Sequence, residues 1–110
     1  MPLASLGEGF TPISEVNLGG RQVLLKHDYL FPTGSYKDRG STVMVSKLRE
    51  WGVREVIEDS SGNAGASIAA YAALAGIQSH IFVPESASAG KSYPTPVRGC
   101  ITGYLGPWTA

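Results

Sequence analysis

The chain has 110 residues, and its composition and charge narrow the classes of protein to which it can belong. The length allows one small domain, with the 43% hydrophobic and 16% charged residues of an ordinary soluble protein. Nine basic residues balance nine acidic ones, so we expect no surface that binds nucleic acid or an anionic membrane. The single cysteine, Cys100, cannot form an intrachain disulfide, and no signal-like or membrane-spanning stretch is recognisable. We therefore expect a cytoplasmic protein.

The first predicted elements form a β-hairpin. A Gly-Gly pair at residues 19–20 is typical of a tight turn, and strand-like patterns flank it at residues 13–16 and 22–26. Three consecutive apolar residues, 23–25, lie within the second strand, so we expect that strand to be covered on both faces.

A helix is predicted next, after a cluster of proline and glycine. The breakers at residues 30–34 are followed by Ser35, which has the side chain of a helix N-cap. Asp38 lies shortly after it, where a negative charge favours a helix N-terminus. Apolar residues at helical spacing predict an amphipathic helix over about residues 36–51, with Trp51 in the core.

The middle of the chain has the order strand, loop, helix, strand. Residues 54–58 predict a short strand, and a loop of small residues at 59–65 opens an alanine-rich helix over residues 64–75. Gly76 suits the end of that helix, and residues 79–83 predict a further strand. The sequence therefore predicts an α/β fold: a short hairpin, a helix, and a three-layer strand–loop–helix–strand unit.

The last part of the chain has a different character. Proline and glycine are frequent between residues 92 and 110, and neither the strand period nor the helix period is recognisable there. We therefore expect irregular chain over residues 92–110, outside a domain formed by residues 1–91.

The loop at residues 60–65 is the first candidate for chemistry. A glycine-rich loop between a strand and a helix directs several backbone N–H groups to one point, beside the positive end of the helix dipole. Such a loop suits a carboxylate or a phosphate, and Asn63 adds a side chain that both donates and accepts hydrogen bonds. The same residues also suit an ordinary tight turn with a serine cap, and the loop alone favours that simpler interpretation.

Lys37 is the second candidate. A lysine amine is a nucleophile only in its neutral form, which burial or a neighbouring cation favours. Arg39 lies close in sequence, but Asp38 acts in the opposite direction. A cation in the first turn of a helix is unfavourable beside the helix dipole, and this points weakly to a specific role. On position alone, a solvated surface lysine remains the simpler interpretation.

Three motifs, taken together and in order, resemble those of a known enzyme superfamily. They are residues 8–12 (Glu-Gly-Phe-Thr-Pro), residues 32–40 (Pro-Thr-Gly-Ser-Tyr-Lys-Asp-Arg-Gly) and residues 60–65 (Ser-Ser-Gly-Asn-Ala-Gly). The series is similar to the signature of fold-type II pyridoxal-phosphate enzymes, the tryptophan-synthase-β-like superfamily. Within it, the motifs most resemble those of threonine synthases, with threonine/serine dehydratases and cysteine synthases as relatives.

The resemblance implies a role for each motif. Lys37 would hold pyridoxal phosphate covalently and move protons on the substrate, and Asn63 would hydrogen-bond the cofactor's 3′-oxygen. The loop would bind the substrate's α-carboxylate through Ser60, Ser61, Gly62, Asn63 and Ala64. For a threonine synthase, the reaction would convert O-phosphohomoserine and water to threonine and phosphate. The alternatives are a dehydratase-like enzyme and a non-catalytic α/β fragment that binds anions or self-associates.

The resemblance also has a limit. Members of this superfamily have two α/β domains, and their glycine-rich phosphate loop and the polar residue near the pyridine nitrogen have no visible counterpart in this sequence. We therefore expect a truncated chain, with residues 1–91 as the N-terminal part of the catalytic domain. Surfaces that a second half would cover are expected to favour a homo-oligomer, and an amino acid is expected as the substrate.

Overall fold

The structure is a computed structural model that describes residues 3–60, 62–84 and 100–105. Two sheets and two helices make up most of this part of the chain. In chain order the elements are β1 (Ile13–Leu18), β2 (Arg21–Lys26), a short 3₁₀ helix (Asp28–Leu30), α1 (Lys37–Glu50), β3 (Glu55–Asp59), α2 (Asn63–Ala75), β4 (Gln78–Pro84) and β5 (Cys100–Leu105). None of the helices in the described part is long and apolar enough to cross a membrane.

The predicted hairpin is confirmed. Strands β1 and β2 pair antiparallel, with Val16 opposite Val23. Gly19 and Gly20 have φ angles of 59° and 81°, the left-handed conformations that a tight two-residue turn requires. The prediction that β2 is covered on both faces is wrong, because Leu24 is 65% exposed. An isolated two-stranded ribbon has no second layer to bury such a residue.

The predicted strand–loop–helix–strand unit is also confirmed. Strands β3, β4 and β5 form one parallel sheet, and α2 connects β3 to β4. The helix ends at Gly76, whose φ of 72° is a left-handed C-cap conformation, and the next N–H, of Ile77, donates to the Ala72 carbonyl at 2.9 Å. Parallel strands joined by a helix define the α/β class.

One prediction for the end of the chain is wrong in part. Irregular chain was expected over residues 92–110, but Cys100–Leu105 form β5 and pair in parallel with β4. The stretch contains β-formers such as Ile101 and Tyr104, and the second edge of β4 supplies the hydrogen bonds that a strand needs. The expected boundary at residue 91 and the other residues beyond it lie outside the described part.

The core lies between the two helices and the parallel sheet. It is built from side chains of both layers, among them Val45, Ile68, Tyr71, Ile81 and Val83. Beside Val45, the buried face of α1 consists of small or polar residues: Asp38, Ser41 and Ser46.

Most of the apolar stripe of α1 lies outside the core, although Leu48 packs against it. Trp51, predicted to be buried, is 68% exposed, and Val43 is also exposed. The buried face of α1 instead carries Ser41 and Ser46, and Ser41 is joined by a hydrogen bond to Ser67 of the alanine-rich α2. Small residues let two helices approach closely. The stripe of large apolar residues therefore does not mark the face of α1 that packs against α2.

Candidate active site

Lys37 is the first residue of α1. The turn before it is tight, with Gly34 at a φ of 80°, and Tyr36 is the N-cap residue. The predicted cap, Ser35, lies one residue earlier. Its hydroxyl accepts a hydrogen bond from the Lys37 N–H at 3.3 Å, and its carbonyl accepts one from the Asp38 N–H at 3.3 Å. Ser35 therefore stabilises the start of the helix, although the helix begins one residue later than a Ser35 cap implies.

A cavity of about 220 Å³ lies beside Lys37. Helix α1 contributes Lys37, Gly40, Ser41 and Met44 to its wall, α2 contributes Ala64 and Ile68, and β3 contributes Glu58. Most of the wall is apolar. The two candidate segments of the sequence, the Lys37 motif and the loop that opens α2, thus meet at one cavity.

The Lys37 amine has no polar partner in the described part of the chain. It is in none of the ion pairs there and donates no side-chain hydrogen bond, while the Tyr36 ring lies 5.2 Å from it. The residue is half-buried. The side chain thus lies at the cavity wall, where a carbonyl compound in the cavity would meet it.

The loop before α2 ends in a helix N-terminus without a side-chain cap among the described residues. Ser60 continues from β3, and its N–H donates to the Phe82 carbonyl of β4 at 3.0 Å. The first N–H of the helix to bond back is that of Ala66, to Gly62 at 3.2 Å. The preceding N–H groups, of Asn63, Ala64 and Gly65, are left outside the helical hydrogen bonds, as at any helix N-terminus.

The structure brings only part of the predicted loop to the cavity. Ala64 lines it, whereas Ser60, Gly62 and Asn63 do not, and the Asn63 side chain is exposed. Ser61 lies outside the described residues. The roles assigned to these loop residues remain predictions.

Asp38 is the polar residue that the sequence interpretation missed. It was interpreted as a charge for the helix dipole, but it is fully buried. Its carboxylate accepts hydrogen bonds from the Thr33 N–H at 2.8 Å, from the Thr33 hydroxyl, and from the Ser67 hydroxyl of α2 at 2.6 Å. A further hydrogen bond of 2.7 Å joins the hydroxyls of Ser67 and Ser41.

The opposite side of the same turn carries an exposed ion pair. Arg39 donates to Asp28 at 3.0 Å, and Thr11 donates to the same carboxylate at 2.7 Å. The hydrogen bonds from Arg39 and Thr11 lower the pKa of Asp28 below its ordinary value. The Arg39 guanidinium also lies 4.5 Å from the centre of the Phe31 ring. These contacts join α1 to the chain around the hairpin.

A third polar contact holds the N-terminal segment against the helices. The Tyr71 hydroxyl donates to Glu8 at 2.6 Å. Burial alone would raise the pKa of Glu8, but hydrogen bonds from Tyr71, Thr42 and backbone N–H groups outweigh it and lower the pKa from 4.5 to about 2. Burial, the hydrogen bond to Glu8 and the nearby Asp38 and Glu8 charges raise the pKa of Tyr71. The motif at residues 8–12 is thereby tied to α2.

The family model described as pyridoxal-phosphate dependent enzyme matches residues 4–95. The chain belongs to this family. Its cofactor is pyridoxal phosphate, and the predicted superfamily is confirmed.

Curated relatives of the chain are named threonine synthase. The protein from Halalkalibacterium halodurans is 43% identical over 88 residues, which are 76% of this chain and 25% of that protein. The one from Mycobacterium tuberculosis is 46% identical over 85 residues, 74% of this chain and 24% of that protein. The chain thus spans about a quarter of the length of the curated relatives that it matches.

Solved structures share the fold. A hydrogen sulfide-producing enzyme from Fusobacterium nucleatum superposes with a TM-score of 0.76 over 87% of this chain and 34% of that enzyme, at 24% identity. A pyridoxal 5′-phosphate-dependent aspartate racemase gives a TM-score of 0.73 over 86% of this chain and 32% of that one, at 30% identity. The predicted fold class, the N-terminal part of a fold-type II pyridoxal-phosphate enzyme, is confirmed.

The residues around the cavity fit pyridoxal phosphate. Lys37 presents an amine without a polar partner in the described part of the chain, and apolar side chains such as Met44 and Ile68 suit an aromatic ring. The cavity of about 220 Å³ is smaller than the ~300–1,000 Å³ usual for ligand sites. The described residues therefore account for one part of such a site.

Proposed function

We propose that this chain contributes the cofactor lysine and the carboxylate-binding loop of a threonine synthase, which converts O-phosphohomoserine and water to threonine and phosphate. The observation that carries the proposal is that the partner-free Lys37 amine and the first turn of α2, through Ala64, line one cavity in the described part of the chain. Identities of 40–43% to curated threonine synthases support this reaction over others of the family.

Lys37 is proposed to hold the cofactor covalently and to move protons on the substrate carbons beside it. Pyridoxal phosphate, when bound, supplies the electron sink that stabilises negative charge at the substrate's α-carbon. A lysine suits the proton transfers because its neutral amine accepts a proton and its ammonium returns one. The position of Lys37 on the first turn of α1 aims a flexible four-carbon side chain at the cavity wall that it shares with α2.

The loop is proposed to bind the substrate's α-carboxylate. The N–H groups at the start of α2 have no helical acceptor, and the helix dipole adds positive potential at the same place. Together these features make a binding site for a small anion. Within this loop, Ser60, Ser61, Gly62 and Ala64 act as carboxylate ligands. Asn63 also contacts the carboxylate and donates to the cofactor's 3′-oxygen.

The proposal extends to the cellular setting. The protein acts in the cytoplasm on a small amino-acid substrate, and its copies associate. Ile57 is 74% exposed on the parallel sheet, and Trp51 is exposed at the end of α1. Large apolar side chains so exposed favour association. The division of the chain at residue 91 likewise remains a prediction.

Reductive labelling tests the assignment of Lys37. The protein is mixed with pyridoxal phosphate, reduced with borohydride and digested, and the modified lysines are mapped by mass spectrometry. We expect the label mainly on Lys37, with the exposed Lys47 as the internal control. No label on Lys37, or equal labelling of the other lysines, would overturn the assignment.

A second assay tests the reaction. The protein with added pyridoxal phosphate is given O-phosphohomoserine, and inorganic phosphate and threonine are measured. Whatever turnover the chain supports is expected to give the two products in equal amounts and to be lost in Lys37→Arg. Ammonia release from threonine or serine without phosphate release from O-phosphohomoserine would instead identify a dehydratase.

A further inference from the structure

The carboxylate of Asp38 connects three separate segments of the fold. It lies on α1 directly after Lys37, and its side chain is completely buried. One of its hydrogen-bond partners, Thr33, lies in the turn before α1, and the other, Ser67, lies on α2. Because Ser67 is one helical turn beyond Asn63, Asp38 joins the beginning of α1 to the beginning of α2.

Because Asp38 is buried, its hydrogen bonds restrict how the segments around it can be arranged. A carboxylate out of contact with water is tolerated only when hydrogen bonds compensate its lost hydration. Thr33 supplies a backbone N–H at 2.8 Å and a hydroxyl, and Ser67 supplies a hydroxyl at 2.6 Å. If α1 rotated or slid against α2, the Ser67 hydrogen bond would break and leave the charge partly unsatisfied. The arrangement therefore permits one relative position of the two helix starts.

The position of Lys37 depends on this arrangement. Successive side chains on an α-helix point about 100° apart, so fixing Asp38 towards α2 also fixes the direction in which Lys37 leaves the helix. Lys37 and Ala64 line the same cavity, one on each of the helices that Asp38 joins. A displacement of one helix start would change the separation between the amine and the N–H groups of α2.

We propose that Asp38 is a positioning residue, which holds the Lys37 amine in register with the first turn of α2. It acts through Thr33 and Ser67 and does not itself touch the cavity. The inference rests on the proposed function, in which Lys37 and that turn bind the cofactor and the carboxylate. It adds a residue and a physical reason to that site, namely that two groups on different helices need a rigid link.

Matched variants separate positioning from general stability. Ser67→Ala removes one hydrogen bond to Asp38, together with the hydrogen bond between Ser67 and Ser41. Ser46→Ala removes an equally buried hydroxyl of α1, which accepts a hydrogen bond from the Ala4 N–H at 2.8 Å and lies more than two turns from Lys37. Thr33→Val removes the hydroxyl that donates to Asp38, and Thr33→Ser retains it.

Two readouts on the full chain test the proposal, each at a temperature at which circular dichroism shows the variant folded. The first is the borohydride-trapped pyridoxal phosphate on Lys37, relative to that on Lys47. We expect a fall of about tenfold in Ser67→Ala and Thr33→Val, because small displacements of reacting groups have large effects. Ser46→Ala and Thr33→Ser are expected to match the original protein.

The second readout needs no cofactor. Acetic anhydride acetylates free amines, and the ratio of Lys37 to Lys47 acetylation measures how far Lys37 is held in its half-buried position. We expect this ratio to rise in Ser67→Ala and Thr33→Val and to stay unchanged in the two controls, because none of these substitutions touches the ion pair of Lys47 with Glu50. A variant that loosens Lys37 thus gains acetylation while it loses the cofactor adduct, which a uniform loss of stability does not produce.

The outcomes distinguish the two proposals. If the original protein traps no pyridoxal phosphate on Lys37, the proposed function fails, and the acetylation ratios still test Asp38. If the adduct forms but Ser67→Ala and Ser46→Ala change both readouts equally, Asp38 is a stability residue and the positioning role is overturned. The same holds if Thr33→Val behaves as Thr33→Ser does.

Discussion

Two carboxylates, Asp38 and Asp28, hydrogen-bond residues at the start of α1, and they differ in burial. Asp38 is completely buried and takes its hydrogen bonds from Thr33 and Ser67. Asp28 takes comparable hydrogen bonds from Thr11 and Arg39, but its side chain is 26% exposed and that of Arg39 is 43% exposed. Both anchor the same turn of α1. Because water replaces lost hydrogen bonds only at the surface, we expect burial, more than the number of contacts, to determine how much each carboxylate contributes to stability.

Removal of the buried carboxylate is expected to have the largest effect. Asp38→Ala removes the acceptor of three hydrogen bonds, two from the half-buried Thr33 and one from the buried Ser67. We expect a loss of about 3 kcal/mol in the free energy of unfolding. Urea unfolding followed by circular dichroism measures it. Asp28→Ala is the matched variant at the surface and should unfold at a urea concentration close to that of the original protein. Equal losses in the two variants would refute the distinction between the two carboxylates.

Tyr71→Phe is expected to have the next largest effect. It removes a completely buried hydroxyl that donates to Glu8 and keeps the ring that packs in the core. We expect a loss of about 1 kcal/mol, measured by the same urea unfolding. A Tyr71→Phe protein as stable as the original would mean that water replaces this hydrogen bond, as is expected at Asp28.

The contact between Tyr71 and Glu8 also makes stability depend on pH. The folded-state pKa of Glu8 is lowered from 4.5 to about 2, so its stabilising contribution is complete above the unfolded-state value and is lost as the pH falls towards 2. We expect the free energy of unfolding to fall between pH 5 and pH 2, with a shallower fall in Glu8→Gln. Identical slopes in the two proteins would argue against a lowered pKa at Glu8.

The smallest effect is expected at Arg39. Arg39→Gln breaks an exposed ion pair and leaves most of the surrounding contacts. We expect a slight shift in the urea midpoint that becomes smaller as sodium chloride is added, because salt screens exposed charges. A large shift that is independent of salt would show that the contact of Arg39 with the Phe31 ring, and not its charge, stabilises this turn.

The sequence predicted elements whose signals are local. The hairpin follows from the Gly19-Gly20 turn, and α2 follows from its alanine content and from Gly76 at its end. The predictions that were wrong concern contacts between segments distant in the sequence. Trp51 was predicted to be buried on an apolar stripe of α1, yet it is exposed, and a hydrogen bond between Ser41 and Ser67 links α1 to α2. No periodicity reveals which of two helix faces meets a neighbour.

The candidate site was predictable to a similar extent. Motif resemblance identified Lys37 and the loop before α2, and the structure brings Lys37 and Ala64 to one cavity. Asp38 was not recognised as buried, because its partners Thr33 and Ser67 come from a turn and from a second helix. Such a network depends on how the helices pack. Strand β5 was missed for a related reason, since it forms by pairing with β4.

The central claim is that Lys37 is the amine that holds pyridoxal phosphate. The most direct measurement is a titration of the protein with pyridoxal phosphate, followed by the visible absorption of the bound cofactor and compared with Lys37→Arg at the same pH. We predict a saturable absorption band in the original protein that is absent from Lys37→Arg and retained in Lys47→Arg. A band of equal amplitude in Lys37→Arg would contradict the assignment.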